Sequence, residues 1–119
     1  GTPFSELIQY LENYSAVTTN SAVLMERLGS LRMKTQQYPG ATDALAAALK
    51  LKPSSQQRLR ILDNLSQLQN HLGRPQEALT SFRELITLAP DYFDAARING
   101  EITRLTAELG RKNSEGQNK

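Results

Sequence analysis

Leu65 to Pro90 reads LSQLQNHLGRPQEALTSFRELITLAP. Leu65, Leu68 and Leu72 fall on one helical stripe, and Ala78, Leu79, Phe82, Leu85 and Ile86 on another. Between them lies the tight turn Gly73-Arg74-Pro75. Gly73 suits the left-handed position that ends a helix, and Pro75 suits the first position of the next. A two-helix hairpin cannot bury both of its apolar stripes alone. The stretch therefore points to a stacked helical array that presents a surface.

Working outward, the same pattern predicts six helices and no strand alternation. The first covers 3–16, with Thr2 as cap and Phe4, Leu7, Ile8, Leu11 and Tyr14 as its stripe. Thr18-Thr19-Asn20-Ser21 is a polar break. The second carries Leu24, Leu28, Leu31 and Thr35 and ends before Tyr38-Pro39-Gly40. The third, Ala-rich, spans 42–51 and stops at Pro53. Ser54 and Gln57 have capping-box spacing for the fourth, whose stripe is Leu59, Leu62, Leu65, Leu68 and Leu72. Pro75 opens the fifth and Pro90 ends it. Asp91 is expected to cap the sixth, which carries Ile98, Ile102, Leu105 and Leu109 and closes at Gly110. RKNSEGQNK after it has no apolar partner and is expected to be disordered. Short connections make neighbouring helices antiparallel, so the class is all-α.

The 119 residues suit one domain. No cysteine is present, which removes disulfides, thiolate metal sites and Cys nucleophiles together. No apolar run nears the ~18 residues of a membrane span, and there is no signal-peptide pattern. The start inside a helix cap suggests a piece of a longer protein, so a targeting or anchoring segment would lie outside it. The net charge is only +2. Between Arg27 and Arg60, however, Arg27, Arg32, Lys34, Lys50, Lys52, Arg58 and Arg60 face a single acid, Asp43. That bias describes either a solvated basic face or a docking face for an acidic partner. It is too sparse for a nucleic-acid stripe.

Asp43-Ala44-Leu45 recurs 34 residues later as Glu77-Ala78-Leu79, and Leu28 and Leu31 recur as Leu62 and Leu65. Helix–turn–helix units at that period resemble the tetratricopeptide repeat (TPR) family. Leu62, Leu65 and Ser66 match its first-helix signature, Gly73-Arg74 its turn, and Ala78, Phe82 and Pro90 its second-helix and terminal positions. Gln69 replaces the usual aromatic, and Leu85 is bulkier than the usual alanine. Met25, Leu28 and Gly29 fit the preceding first helix if Pro53 is the terminal proline. Asp43-Ala44-Leu45 fits the preceding second helix only after a shift of three residues, so about one extra turn is expected between Gln36 and Arg58. The resemblance implies a right-handed α-α superhelix, in one domain at 1–110. It divides that domain into a half repeat (3–16), a degenerate repeat (22–55), a well-matched repeat (59–92) and a capping helix (91–110), with a disordered tail at 111–119.

No catalytic constellation is legible. His71 is the single histidine and has no flanking ligands at helical spacing. There is no Gly-rich phosphate loop, and Gly100 reads as a site of close helix approach. Glu101 with Arg104, and Glu108 with Arg111, have the spacing of stabilising pairs on a helix face. No enzyme activity, metal or cofactor is expected.

The resemblance implies a partner groove lined by the first helix of each hairpin. Its groove-facing positions are Val23, Glu26, Ser30, Met33 and Lys34, then Arg60, Asp63, Gln67, Asn70 and His71, then Asp94, Arg97, Glu101 and Arg104. Members that clamp the terminal carboxylate of heat-shock chaperones use Lys, Asn and Arg at positions held here by Glu26, Ser30, Asn64, Asp94 and Ile98. Only Asn64 agrees, so no such clamp is expected. The leading reading is a protein–protein interaction scaffold for a peptide, helix or partner domain, an acidic one among the candidates, within a larger assembly, maturation or regulatory protein. The alternatives are a single-stranded RNA-binding helical repeat, and self-association through Phe4, Ile8 and Leu11. Against RNA, Phe82 and Phe93 are expected in the core and leave few aromatics for base stacking.

Overall fold

In the computed structural model, backbone is described for residues 2–17 and 21–117, and side chains are described there except at 13–17 and 115–117. Thr18, Thr19 and Asn20 of the polar break, and the Tyr14 side chain, lie outside that description. The described residues form helices and no strand: α1 Pro3–Val17, α2 Ala22–Lys34, α3 Tyr38–Lys50, α4 Ser55–His71, α5 Pro75–Leu88 and α6 Ala95–Gln117. The chain divides within α4 into two compact units, 1–61 and 62–119.

Local chemistry sets most boundaries. The Ser5 amide donates to the Thr2 hydroxyl at 3.1 Å, and the Leu24 amide to the Ser21 hydroxyl at 3.2 Å. The capping box at the start of α4 is reciprocal: the Gln57 amide donates to the Ser54 hydroxyl, and the Ser54 amide to the Gln57 side-chain oxygen. After α4, Gly73 has φ +70°. Its amide donates to the Asn70 carbonyl, and that of Arg74 to the Gln69 carbonyl. The same six-residue closure ends α2, with Gln36 at φ 60° and its amide on Met33, and Gln37 bonded to Arg32.

These two closures lie 37 residues apart, and that spacing orders the whole chain. Leu24, Leu28, Leu31 and Thr35 of α2 correspond to Ile61, Leu65, Leu68 and Leu72 of α4, and to Ile98, Ile102, Leu105 and Leu109 of α6. In the alternate helices, Ala41, Thr42, Ala44, Leu45 and Ala48 of α3 are all buried. So are their counterparts Ala78, Leu79, Ser81, Phe82 and Leu85 of α5. The 34-residue match is therefore a coincidence of local sequence. Leu45 takes the place of Phe82, Pro53 that of Pro90, and no register shift is needed. Ile61, absent from the expected stripe, is fully buried, while Leu59 is half-buried.

In the first unit Ile8, Leu11, Leu28, Leu31 and Ala44 form one core, with Leu24 and Met25 packed against it. Gly29 lets α2 pass close over α3: a Cβ there would stand 2.8 Å from Leu45. In the second unit Leu65, Phe82, Leu85, Ile98 and Leu105 are buried. Truncating a side chain as large and enclosed as Phe82 costs about 3–5 kcal/mol.

Several expectations are corrected. Tyr38-Pro39-Gly40 is the first turn of α3 and not a break, since proline suits a helix start. Asp91 does not cap α6; residues 91–94 turn first, and the Asp94 carbonyl accepts the Ile98 amide. Gly110 does not end α6, which continues to Gln117 through the stretch expected to be disordered. Glu108 pairs there with Arg104 and Lys112, each four residues away, and not with Arg111. Gly100 is exposed, with no atom within 4 Å of a Cβ built on it, so it permits no close approach. Phe93 is 85% exposed and outside the core. Ile8 and Leu11 are buried, while among the described residues of α1 the large side chains Phe4, Leu7 and Tyr10 are exposed.

Candidate functional site

Glu26, Ser30 and Arg60 come together in the first unit. With Val23, Arg27 and Gln57 they line an open cleft of about 340 Å³ between α2 and the start of α4. The Arg60 guanidinium holds the Glu26 carboxylate with two bonds, Nε to Oε2 and Nη2 to Oε1, each 3.0 Å. The hydrogen bond to Glu26 raises the pKa of Arg60. The acid is thereby neutralised, and among the described residues lining the cleft no acid balances the exposed Arg27. Val23, 49% exposed, supplies an apolar wall. Ser30 and Gln57 add neutral hydrogen-bonding groups.

Met33 and Lys34 do not join this cleft. Met33 is half-buried, and the Lys34 ammonium lies 5.9 Å from the centre of the Phe4 ring on α1. They lie on the same helical face as Glu26 and Ser30 but further along α2, past the residues that line the cleft.

The remaining expected residues gather in the second unit. The Asp63 carboxylate accepts the Tyr92 hydroxyl at 2.7 Å, the Gln67 amide at 2.6 Å and Arg97 Nη2 at 3.4 Å. Arg97 is held more closely by Asp94, at 2.6 Å, and that bond raises its pKa. Partial burial and the bond to Asp63 push the Tyr92 phenol up to about 12. Further along α4, the Asn70 amide donates to Glu101 and its oxygen accepts from Arg104. Arg104 also grips Glu101 at 2.6 Å, which lowers the Glu101 pKa. The expected docking face is thus largely bonded to itself here. His71 is exposed at the end of α4.

Sequence reasoning passed over three participants. Arg27 was counted only as part of the basic run, Gln57 only as a capping residue, and Tyr92 not at all. Gln69, at the place of the family's aromatic, is buried and accepts a 2.7 Å bond from the Ser81 hydroxyl. Arg32, 37 residues earlier, likewise ties α2 to α3 through the Gly40 carbonyl, at 2.9 Å. A polar tether replaces aromatic packing in both hairpins.

Among the described residues, no group of three or more His, Cys, Asp or Glu could hold a metal ion. No helix there is long and apolar enough to cross a membrane.

No family model matches the chain. No curated protein matches it either. Among solved structures, the crystal structure of MamA superposes with a TM-score of 0.66 at 17% identity, covering 98% of this chain and 72% of that one. MamA is a TPR-like helical-repeat protein, and the likeness shows that this chain has an all-α, TPR-like helical-repeat fold.

Proposed function

We propose that the chain is a non-catalytic protein-interaction module, and that an acidic peptide segment docks in the cleft lined by Val23, Glu26, Arg27, Ser30, Gln57 and Arg60. The observation that carries this reading is the state of the charges there. Glu26 is neutralised by Arg60, while Arg27 is exposed beside the apolar Val23. Among the described residues lining the cleft, a carboxylate approaching Arg27 meets only an acid already held by Arg60, and a neighbouring apolar side chain can rest on Val23. Ser30 and Gln57 can bond the peptide backbone. The basic excess from Arg27 to Arg60 would steer such a segment inward.

Calorimetry with a peptide alternating Asp or Glu with Leu tests this directly. Binding should weaken about tenfold or more in Arg27→Glu, roughly the loss of one charge-assisted bond, and should fade as salt is raised. A charge-reversed peptide that binds equally well would sink the reading. So would salt-sensitive binding of single-stranded RNA in preference to the peptide.

A further inference from the structure

Two equivalent joints in this chain share out one arginine differently. Arg60 and Arg97 lie 37 residues apart, as do Glu26 and Asp63, the acids they meet. At the first joint Glu26 takes two nitrogens of Arg60: Nε donates to Oε2 and Nη2 to Oε1, each at 3.0 Å. At the second joint the same two nitrogens are divided between two acids. Arg97 Nε donates to Asp94 at 2.6 Å, and Nη2 reaches Asp63 at 3.4 Å. Where a second carboxylate is present, it holds the Nε edge and the first acid keeps only the Nη2 corner.

The counterpart of Asp94 in the first joint is the neutral Gln57, which lines the cleft with Arg60. Its side-chain oxygen accepts the Ser54 amide at 2.8 Å, so what it offers a ligand is its Nε2 donor. The place that Asp94 fills from within the chain on Arg97 is thus left on Arg60 for an acid from outside. Charge balance agrees. The second joint sets two acids against one arginine, and its counterpart of Arg27 is the neutral Asn64. The first joint sets Arg27 and Arg60 against Glu26 alone, so one added carboxylate brings it to neutrality. The displaced acid also has a new donor within reach. Asp63 is bonded by Gln67, four residues along α4, at 2.6 Å. Ser30 stands four residues after Glu26 and lines the cleft. Its hydroxyl can donate to the Glu26 oxygen that Arg60 Nε releases.

We infer that Arg60 receives the carboxylate of the docked segment on its Nε edge, with Arg27 as the balancing charge and Glu26 as a displaceable internal acid. This rests on the acidic-peptide reading of the cleft and names the atom that the acid takes. Asp94 on Arg97 is the chain's own likeness of the occupied state. Gln57 is then the residue that keeps the edge open, and an acid at its position closes it.

The alternating Asp–Leu peptide tests this, followed by calorimetry and by the Nε–H resonance of Arg60. The wild type should bind it, and that resonance should shift as it does. Gln57→Asp copies Asp94 and should weaken binding about tenfold or more, the loss of one charge-assisted bond. Gln56→Asp adds the same charge one residue away, at an exposed side chain outside the cleft lining. It should change the affinity less than about threefold at physiological salt. Circular dichroism should show unchanged helix content in both variants, since an acid in the first turn of α4 suits the helix dipole. If Gln57→Asp does not fold, the Arg60 resonance of the wild type still decides. Binding without a shift at Arg60 Nε overturns the inference and leaves the acidic-peptide reading standing. So does a folded Gln57→Asp that binds no more weakly than Gln56→Asp. A wild type that binds no acidic peptide removes the reading itself, and the inference with it.

Discussion

Glu26 and Asp63 occupy one structural position, 37 residues apart, and each meets an arginine 34 residues further along the chain, Arg60 and Arg97. The two contacts differ in strength. Arg60 is bidentate at 3.0 Å, whereas Arg97 touches Asp63 at 3.4 Å and belongs mainly to Asp94. Arg60 is more than half exposed, so solvent screening limits even the better pair. A double-mutant cycle on Glu26→Gln and Arg60→Gln should give a coupling of about 0.5–1 kcal/mol at low salt, smaller at high salt. The cycle on Asp63→Asn and Arg97→Gln should give less. A larger coupling for the second pair would contradict this ordering.

Two glycines should respond in opposite directions to alanine. At Gly29 a Cβ would stand 2.8 Å from both Cγ and Cδ2 of the fully buried Leu45. Gly29→Ala should therefore cost about 1–3 kcal/mol through overpacking, despite the helix propensity gained. At Gly100 nothing lies within 4 Å, and Gly100→Ala should stabilise by about 0.5–1 kcal/mol. Urea unfolding of both variants checks the pair; equal signs would refute the packing argument.

The buried Gln69–Ser81 bond makes a third test. Removing one partner strands the other, so Ser81→Ala alone should cost about 1–3 kcal/mol. Adding Gln69→Leu should recover much of that loss, because both polar groups are then gone. If the double variant is as unstable as the sum of the single ones, the bond is not what holds α4 to α5.

Tyr92 gives the fold an alkaline limit. Its phenol ionises near 12 in the folded protein, against about 10 in an unfolded chain. A raised folded-state pKa means that the native state holds the proton more tightly. That stabilisation is complete below pH ~10 and is lost as the pH climbs through about 12. Denaturant unfolding across this window should show stability falling with pH in the wild type and falling less in Tyr92→Phe. Absorbance titration should show one tyrosine ionising late, and that late step should vanish in the variant.

What the sequence disclosed was local. Ser54 and Gln57 announced a capping box, and Gly73 with Pro75 a turn, because each motif is complete within a few residues. The period was harder to read. Asp43-Ala44-Leu45 and Glu77-Ala78-Leu79 look alike letter by letter, yet the true partner of Leu45 is Phe82, an equivalence carried by burial and not by residue type. Phe93 looked like core because hydrophobicity does not reveal which face a short turn presents. At the site, Glu101 with Arg104 was legible as a pair on one helix. The bond of Glu26 to Arg60 was not, because it depends on two helices meeting in space.

The recurring spacing also tells how such a chain can grow. The segment from Tyr38 to Arg74 begins just after one turn residue, Gln37, and ends on its counterpart. Copied between Arg74 and Pro75, it would leave every helix intact at both seams. Asp63 would then face the copied Arg60, and the copied Asp63 would face Arg97. Tandem duplication can thus lengthen this protein in whole units, with the acid–arginine contact regenerated at each new joint.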